Sequence, residues 1–359
     1  MFRIVFFITY LPLLIYVYWR CLAFFKHKKQ RKIFTYSLIS FALAFPFFDY
    51  LAHTVKNSNL DILIQLGFYT QPYLLYLFFV ILFLDLIQLA FKFSRQNHHL
   101  ATIVFLIPLL IVIYGAWKFN QIKVNQYAIE IPKKDSTLNK LRIVFASDFH
   151  LRGKSELNTL ANFVERTNKL KPDLILLPGD ILEGDHHDEE RPLLEMELRK
   201  LQSTYGTFAV LGNHESYGKV IVEDFFKSSN VNLLRDQSVT IPKAFTIAGR
   251  DDLRFKTRKD FEEFHKQLPL NLPIILMDHR PNDFQKVKDD DISIQVSGHT
   301  HNGQIFPFNF ITHAMYDLSW GHKQEGKTHF FVTSGLRGWG PQVRTTADAE
   351  IIVIDVVLK

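Results

Sequence analysis

Five short segments of this chain place metal-ligating residue types directly after an apolar run. They are Ser147-Asp148-Phe149-His150, Gly179-Asp180, Gly212-Asn213-His214-Glu215, Asp278-His279 and Gly298-His299-Thr300-His301. Carboxylate, amide and imidazole groups all donate to divalent cations. A site that mixes them favours Mn, Fe, Zn, Ni or Co over Mg²⁺ or Ca²⁺, which prefer oxygen alone. Ligands arriving from five separate segments suffice for two ions side by side, an arrangement suited to hydrolysing phosphate esters. In Asp148-x-His150 and His299-x-His301 the paired side chains stand two positions apart, which on extended backbone points both to one face. Gly179, Gly212 and Gly298 precede ligand positions, where the missing side chain permits tight turns and close backbone approach.

The elements that must carry these segments follow from the apolar pattern. Leu141–Ala146, Leu174–Leu177 and Thr207–Leu211 are short buried strands, with helices expected over Ser155–Lys169 and Arg191–Gln202 between them. This strand–helix–strand order predicts a largely parallel sheet whose carboxyl ends share one edge, where ligands bind. Further strands are expected near Val239–Ile241, Phe245–Ala248, Ile274–Met277, Ile292–Ser297, His329–Thr333 and Glu350–Val357, with a helix over Lys259–Gln267. A second sheet packed on the first, with helices outside, accommodates them.

Taken in order, the segments resemble those of the calcineurin-like metallophosphoesterases, over about Leu141–Leu358. Phe149 stands where that family more often has Leu. The resemblance is strongest to the branch with amino-terminal membrane segments and a Gly-Trp-Gly-Pro-x-x-Arg ending, here Gly338–Arg344. It implies an α/β fold, a two-sheet β-sandwich flanked by helices. It also implies two divalent metal ions: Asp148, His150 and His301 on the first, Asn213, His279 and His299 on the second, and Asp180 shared. A metal-bridging hydroxide would then attack the phosphorus, while His214 stabilises charge or protonates the leaving group. Every ligand position is filled.

Arg280, Arg337 and Arg344 are candidates for clamping phosphate, since guanidinium pairs bidentately with its oxygens; Arg344 and Arg280 are carried forward as substrate-binding residues. His186-His187, in the acidic run Asp185–Glu190, reads as a solvated loop, with a substrate-facing lid as the alternative.

The first part of the chain differs sharply in composition. Four stretches, Phe2–Trp19, Ile33–Leu51, Tyr69–Phe91 and Leu100–Trp117, are long and apolar enough to cross a bilayer. The near-zero mean hydropathy of the whole chain averages two unlike halves. The organisation expected is a four-helix transmembrane region over 1–118, a linker and entry over 119–140, and the metallophosphoesterase domain over 141–359. Lys26, Lys28, Lys29, Arg31 and Lys32 load the first loop, and Lys92 and Arg95 flank the third span, whereas Lys56 is the one basic residue of the second loop. Positive charge marks the cytoplasmic side. That orientation puts both termini and the hydrolase domain outside the cytoplasm, in a multi-pass protein of a bacterial inner membrane.

Asp49 and Asp85 lie in or near spans, where carboxylates are functional candidates and snorkelling or interhelical hydrogen bonding is the simpler account. Pro46, Pro72 and Pro108 should kink or bound their helices. The net charge of +6 is concentrated beside a span and gives no nucleic-acid surface, and the lone Cys21 excludes an intramolecular disulfide. The partners expected are a phosphate-ester substrate, for which the anchor favours a lipid- or envelope-linked compound, and the lipid bilayer. A non-catalytic metal-binding scaffold, or a hydrolase domain regulating a membrane sensor or transporter, are the alternatives.

Overall fold

A computed structural model describes the backbone of residues 2–54, 61–91, 95, 97–184, 190–217, 222–288 and 290–359. It divides into two units: Met1–Lys118 together with Trp339–Thr345, and Phe119–Gly338 together with Thr346–Lys359.

The first unit contains four long helices, α1 (Phe2–Leu22), α2 (Lys28–Thr54), α3 (Asp61–Ala90) and α4 (His98–Phe119). Among the described residues, two of them are long and apolar enough to span a membrane, over Gln65–Ala90 and His99–Phe119. Pro12, Pro46, Pro72 and Pro108 all lie inside helices. Val17, Cys21, Ala42, Leu74, Leu77, Ile81 and Val104 pack together between the helices. Asp85 accepts a hydrogen bond from Tyr16 (2.5 Å) and pairs with Arg20 and Arg95, and Arg95 Nε donates to Gln88 (2.8 Å). Interhelical bonding therefore accounts for Asp85. Lys56 and Lys92, and the side chain of Asp49, lie outside the described residues. In the same unit, Arg344 N–H donates to Gly115 O (3.0 Å) and Tyr76 shares a hydrogen bond with Thr345 (2.5 Å).

The second unit is a sandwich of two six-stranded sheets. The first sheet is ordered β1 (Ile122–Ile131), β12 (Ala349–Leu358), β2 (Lys140–Phe145), β3 (Leu174–Pro178), β4 (Thr207–Val210), β5 (Asn232–Leu233). The second is ordered β10 (Gly321–Glu325), β11 (Thr328–Val332), β9 (Ile294–Ser297), β8 (Ile274–Met277), β7 (Phe245–Gly249), β6 (Gln237–Ile241). Strands β2 to β5 run parallel, as do β7, β8, β9 and β11.

Alternation along the strands builds three layers of core. Ile143, Phe145, Leu174, Leu176 and Phe208 meet Phe245, Ile247, Ile275, Met277 and Val296 between the sheets. Val144, Ile175, Leu177 and Ala209 face the other way, onto α5 (Leu157–Lys169), α6 (Arg191–Leu198) and α7 (Glu223–Ser228) through Leu160, Phe163, Leu194 and Phe225. Ala248, Ile274, Leu276 and Phe330 cover the outer face of the second sheet with α8 (Phe261–His265) and α9 (Phe284–Val287). A last helix, α10 (Phe308–Met315), follows the fifth ligand segment. The two-sheet α/β architecture expected from the sequence is the one found. Residues 122–131, read from sequence as linker, form β1 paired in parallel with β12, and most of this strand's side chains stay partly or fully exposed.

Candidate metal centre

All five ligand segments leave the carboxyl ends of strands: Asp148 after β2, Asp180 after β3, Asn213 after β4, His279 after β8, and His299 and His301 after β9. Parallel strands bring these ends to common edges, and backbone bonds lace the loops together. Asp148 N–H donates to Gly179 O (3.1 Å), His150 N–H to Asp180 O (3.0 Å) and Gly298 N–H to His279 O (2.9 Å). Leu336 and Arg337 N–H groups close the mesh onto Ser147 O and Asp148 O, at 2.8 and 3.0 Å.

Asp148, His150, Asp180, His299 and His301 all hold positive φ, between 47° and 72°. Each such residue costs about 1–3 kcal/mol, and that strain persists only where the surroundings enforce it. The glycines remove what would otherwise collide. A Cβ on Gly212 would strike the Asp180 carboxylate, and one on Gly298 would strike Ser147 and Asp148.

Among the described residues, donor atoms gather in three sets, each within 4.8 Å: Asp148–His150–His301, Asp180–His279–His299 and His150–Glu183–His214. In the first, His150 Nε2 lies 3.4 Å from His301 Nε2, which lies 3.5 Å from Asp148 Oδ1. In the second, His279 Nε2 lies 3.1 Å from Asp180 Oδ2, with the His299 ring 5.1 Å from that of His279. Burial opposes a charge on His279, but the Asp180 carboxylate outweighs it and pushes the imidazole up to about 10. Partial burial beside His279 and Arg280 pushes His299 down to about 3. Burial pushes Asp148 up, whereas the surrounding imidazoles hold Asp180 well below the usual carboxylate range.

Residues 141–303 match the family model described as calcineurin-like phosphoesterase. An uncharacterized metallophosphoesterase of Campylobacter jejuni is 29% identical over 90% of this chain and 89% of its own length. One of Bacillus subtilis is 32% identical over 59% of this chain and 77% of its own. This chain belongs to the calcineurin-like phosphoesterases. It is a metal-dependent hydrolase of phosphate esters. A transmembrane protein with metallophosphoesterase domain from Danio rerio is 27% identical over 80% of this chain and 71% of its own.

The phosphoesterase's own residues offer groups that could hold divalent metal ions. Asn213 Oδ1 is buried and takes no hydrogen bond, while the amide nitrogen of the same side chain reaches Tyr217 (3.4 Å). A buried acceptor left unmade is costly, and a cation satisfies it. His279 Nδ1 donates to Pro178 O (2.9 Å), which fixes the tautomer and leaves Nε2 as the donor atom turned to Asp180.

Two glutamates, neither given a role from the sequence, hold this arrangement. Glu183 sits between His150 Nδ1 (3.0 Å) and His214 Nδ1 (2.7 Å). Glu215 accepts from four backbone N–H groups: Asp180 (3.1 Å), Ile181 (2.5 Å), Leu182 (2.9 Å) and Gly212 (2.7 Å). It pins the second and third segments to each other. Burial and the Asp180 charge raise its carboxyl to about 7. Glu215 closes the Gly-Asn-His-Glu segment and Glu183 lies three residues past Asp180, so both were visible in the sequence. Only the fold shows what each one binds.

Of the arginines, Arg280 is beside the second set, held bidentately by Asp252 at 2.6 and 3.2 Å. Arg337 pairs with Glu156 at 3.6 Å and packs over the Phe119 ring. Arg344 is fully buried, and its backbone N–H donates to Gly115 O (3.0 Å). His186 and His187 lie outside the described residues.

Proposed function

We propose that the protein is a membrane-anchored phosphoesterase that hydrolyses a phosphodiester or pyrophosphate with two divalent ions. Asp148, His150 and His301 hold one ion, Asn213, His279 and His299 hold the other, and Asp180 is shared. The observation that carries this reading is the buried, unbonded Asn213 Oδ1, one residue before the His214 backbone N–H that donates to Asp180 Oδ1. The mixed nitrogen and oxygen donors favour Mn, Fe, Zn, Ni or Co. Ions held there supply Lewis-acid stabilisation of phosphoryl charge.

The side chains around them have separable tasks. The His214 backbone N–H donates to Asp180 Oδ1 (2.8 Å), fixing the carboxylate's position. The His214 ring is turned by Glu183, leaving Nε2 4.0 Å from Asp180 Oδ2. Burial opposes protonation of this ring, but Glu183 and Asp180 overcome it and raise its pKa. A protonated imidazole in that position is suited to deliver a proton to the leaving oxygen. Arg280, presented by Asp252, is the candidate to hold a non-reacting phosphate oxygen.

Four spans, with the loop after α1 in the cytoplasm and the catalytic unit outside it, fit the charge pattern. The anchor favours a lipid- or envelope-linked substrate. The test uses the full chain in detergent, assayed with Mn²⁺ against mono-, di- and pyrophosphate esters. Metal-dependent turnover of a diester or pyrophosphate, lost in Asp180→Asn, is the expected result. Equal turnover after exhaustive chelation would refute the reading.

A further inference from the structure

Helix α10 is built the wrong way round for a water-soluble surface. A surface helix ordinarily turns its apolar stripe to the core and its polar residues to water. On α10, with 3.6 residues per turn, Phe308, Phe310, Ile311, Ala314 and Met315 share one half of the circumference, and Asn309, Thr312 and His313 share the other. The polar half is the docked one. His313 Nε2 donates to the buried Asn302 Oδ1 (3.0 Å), and the backbone of Asn309 packs so close to Gly303 that a Cβ there would overlap it. The apolar half is bare: Phe310 is 62% exposed, Ile311 55% and Met315 66%, and no residue of the helix is buried.

Phe306, just before the helix, is exposed too. From Ile305 to Tyr316 there is no charged residue, in a chain that is 22% charged. This plate sits at the ligand segments themselves, since Asn302 follows His301 and Tyr316 lies 6.3 Å, ring to ring, from His299.

We infer that α10 is a membrane-docking helix, which rests its apolar half in the surface of the bilayer that anchors the chain. This inference depends on the membrane-anchored reading above. A contiguous apolar patch of this kind marks an interaction site, and a helix with one wholly apolar half is suited to lie in the plane of a lipid interface. The bilayer is the occupant favoured by the chain itself. Helix α4, apolar enough to span, ends in Trp117 and Lys118, residue types that settle at the headgroup level. Only Asn120 and Gln121 separate it from β1. The second unit is thus tethered by two residues to the surface from which α4 emerges. With its metal-site rim in that surface, the enzyme takes phosphate esters of lipids rather than of soluble metabolites.

The test places one cysteine at a time in a Cys21→Ser background of the full chain, reconstituted in phosphatidylglycerol–phosphatidylethanolamine vesicles. The positions are Phe310→Cys and Ile311→Cys on α10, Ile113→Cys in α4 and Glu262→Cys on the charged helix α8. Each carries a polarity-sensitive fluorophore, and lipids bearing an acyl-chain nitroxide serve as quencher. Bound metal per chain verifies that each variant has folded. Blue-shifted, lipid-quenched emission at positions 310, 311 and 113, with position 262 unaffected, is the expected result. Positions 310 and 311 behaving like 262 while 113 is quenched would overturn the docking helix and leave the anchor standing. Self-quenching at 311 that grows with protein density, without lipid quenching, would overturn it in favour of contact between copies. An unquenched 113 would sink the anchor and this inference with it, whereas metal-dependent turnover is read separately.

Discussion

Asp180 is the residue on which the centre turns, because its carboxylate meets His279 through one oxygen and the His214 amide through the other. Asp180→Asn keeps the shape but removes the carboxylate charge, so on the two-ion reading proposed above hydrolysis of a bis-aryl phosphate should vanish while the far-ultraviolet spectrum is unchanged. His299→Ala should do the same with loss of about one ion per chain, measured by elemental analysis. His214→Ala should behave differently. As a proton donor its loss lowers kcat by roughly 10²–10⁴-fold, with close to two ions still bound; loss of an ion instead would make it a ligand. Glu215 belongs to another class, since its four backbone bonds fasten loops and offer nothing to substrate. Glu215→Gln leaves one or two buried N–H groups unmatched, at about 1–3 kcal/mol each. The expected outcome is a lower thermal midpoint and a fall in metal affinity, read by calorimetry and by titration with Mn²⁺.

At the scale of elements, the site is an edge effect of parallel strands, and this is why so much of it was legible in the sequence. Most ligands follow a run of four or five residues, such as Leu174–Pro178 or Ile274–Met277, that is buried on both faces. Such runs read as continuous apolar sequence. What escaped was whatever lacked that signal. Strand β1 is half exposed and carries Lys123, Asn125, Gln126 and Glu130 among its ten residues, so it resembles a linker until β12 is seen beside it. Helix α10 escaped for a different reason: it is eight residues long and none of its residues is buried, so it lacks the buried run that marks the strands. Glu183 and Glu215 were unreadable because a carboxylate's role is set by the donors that fold back on it.

Since the candidate ligand loops hang from both sheets, the proposed two-ion reading has bound ions tie the layers together. At a free concentration 100 times Kd, a bound ion stabilises the native state by about 2.7 kcal/mol. Chelation should therefore lower the midpoint of the catalytic unit by about 5–10 °C, reversibly on adding Mn²⁺. A midpoint indifferent to chelator would mean that the loops are held by protein contacts alone.

At the scale of the whole molecule, the question is which side of a membrane the chemistry faces. The basic residues are distributed unevenly. Lys26, Lys28, Lys29, Arg31 and Lys32 surround the start of α2, whereas Lys118 and Lys123 flank the exit from α4. Cationic loops stay in the cytoplasm, and the denser cluster governs. The segment entering β1 emerges on the side opposite the cluster only if an odd number of α2, α3 and α4 cross after it, as all three do in the four-span arrangement proposed above. That condition makes topology a test of span number as well as of orientation. In the Cys21→Ser background, Lys28→Cys and Glu262→Cys should report opposite compartments to a membrane-impermeant maleimide applied to intact spheroplasts. Position 262 should react at once, and position 28 only after permeabilisation. If both are protected until lysis, only an even number of spans lies between them, and the substrate would have to be sought among phosphate esters of the inner leaflet.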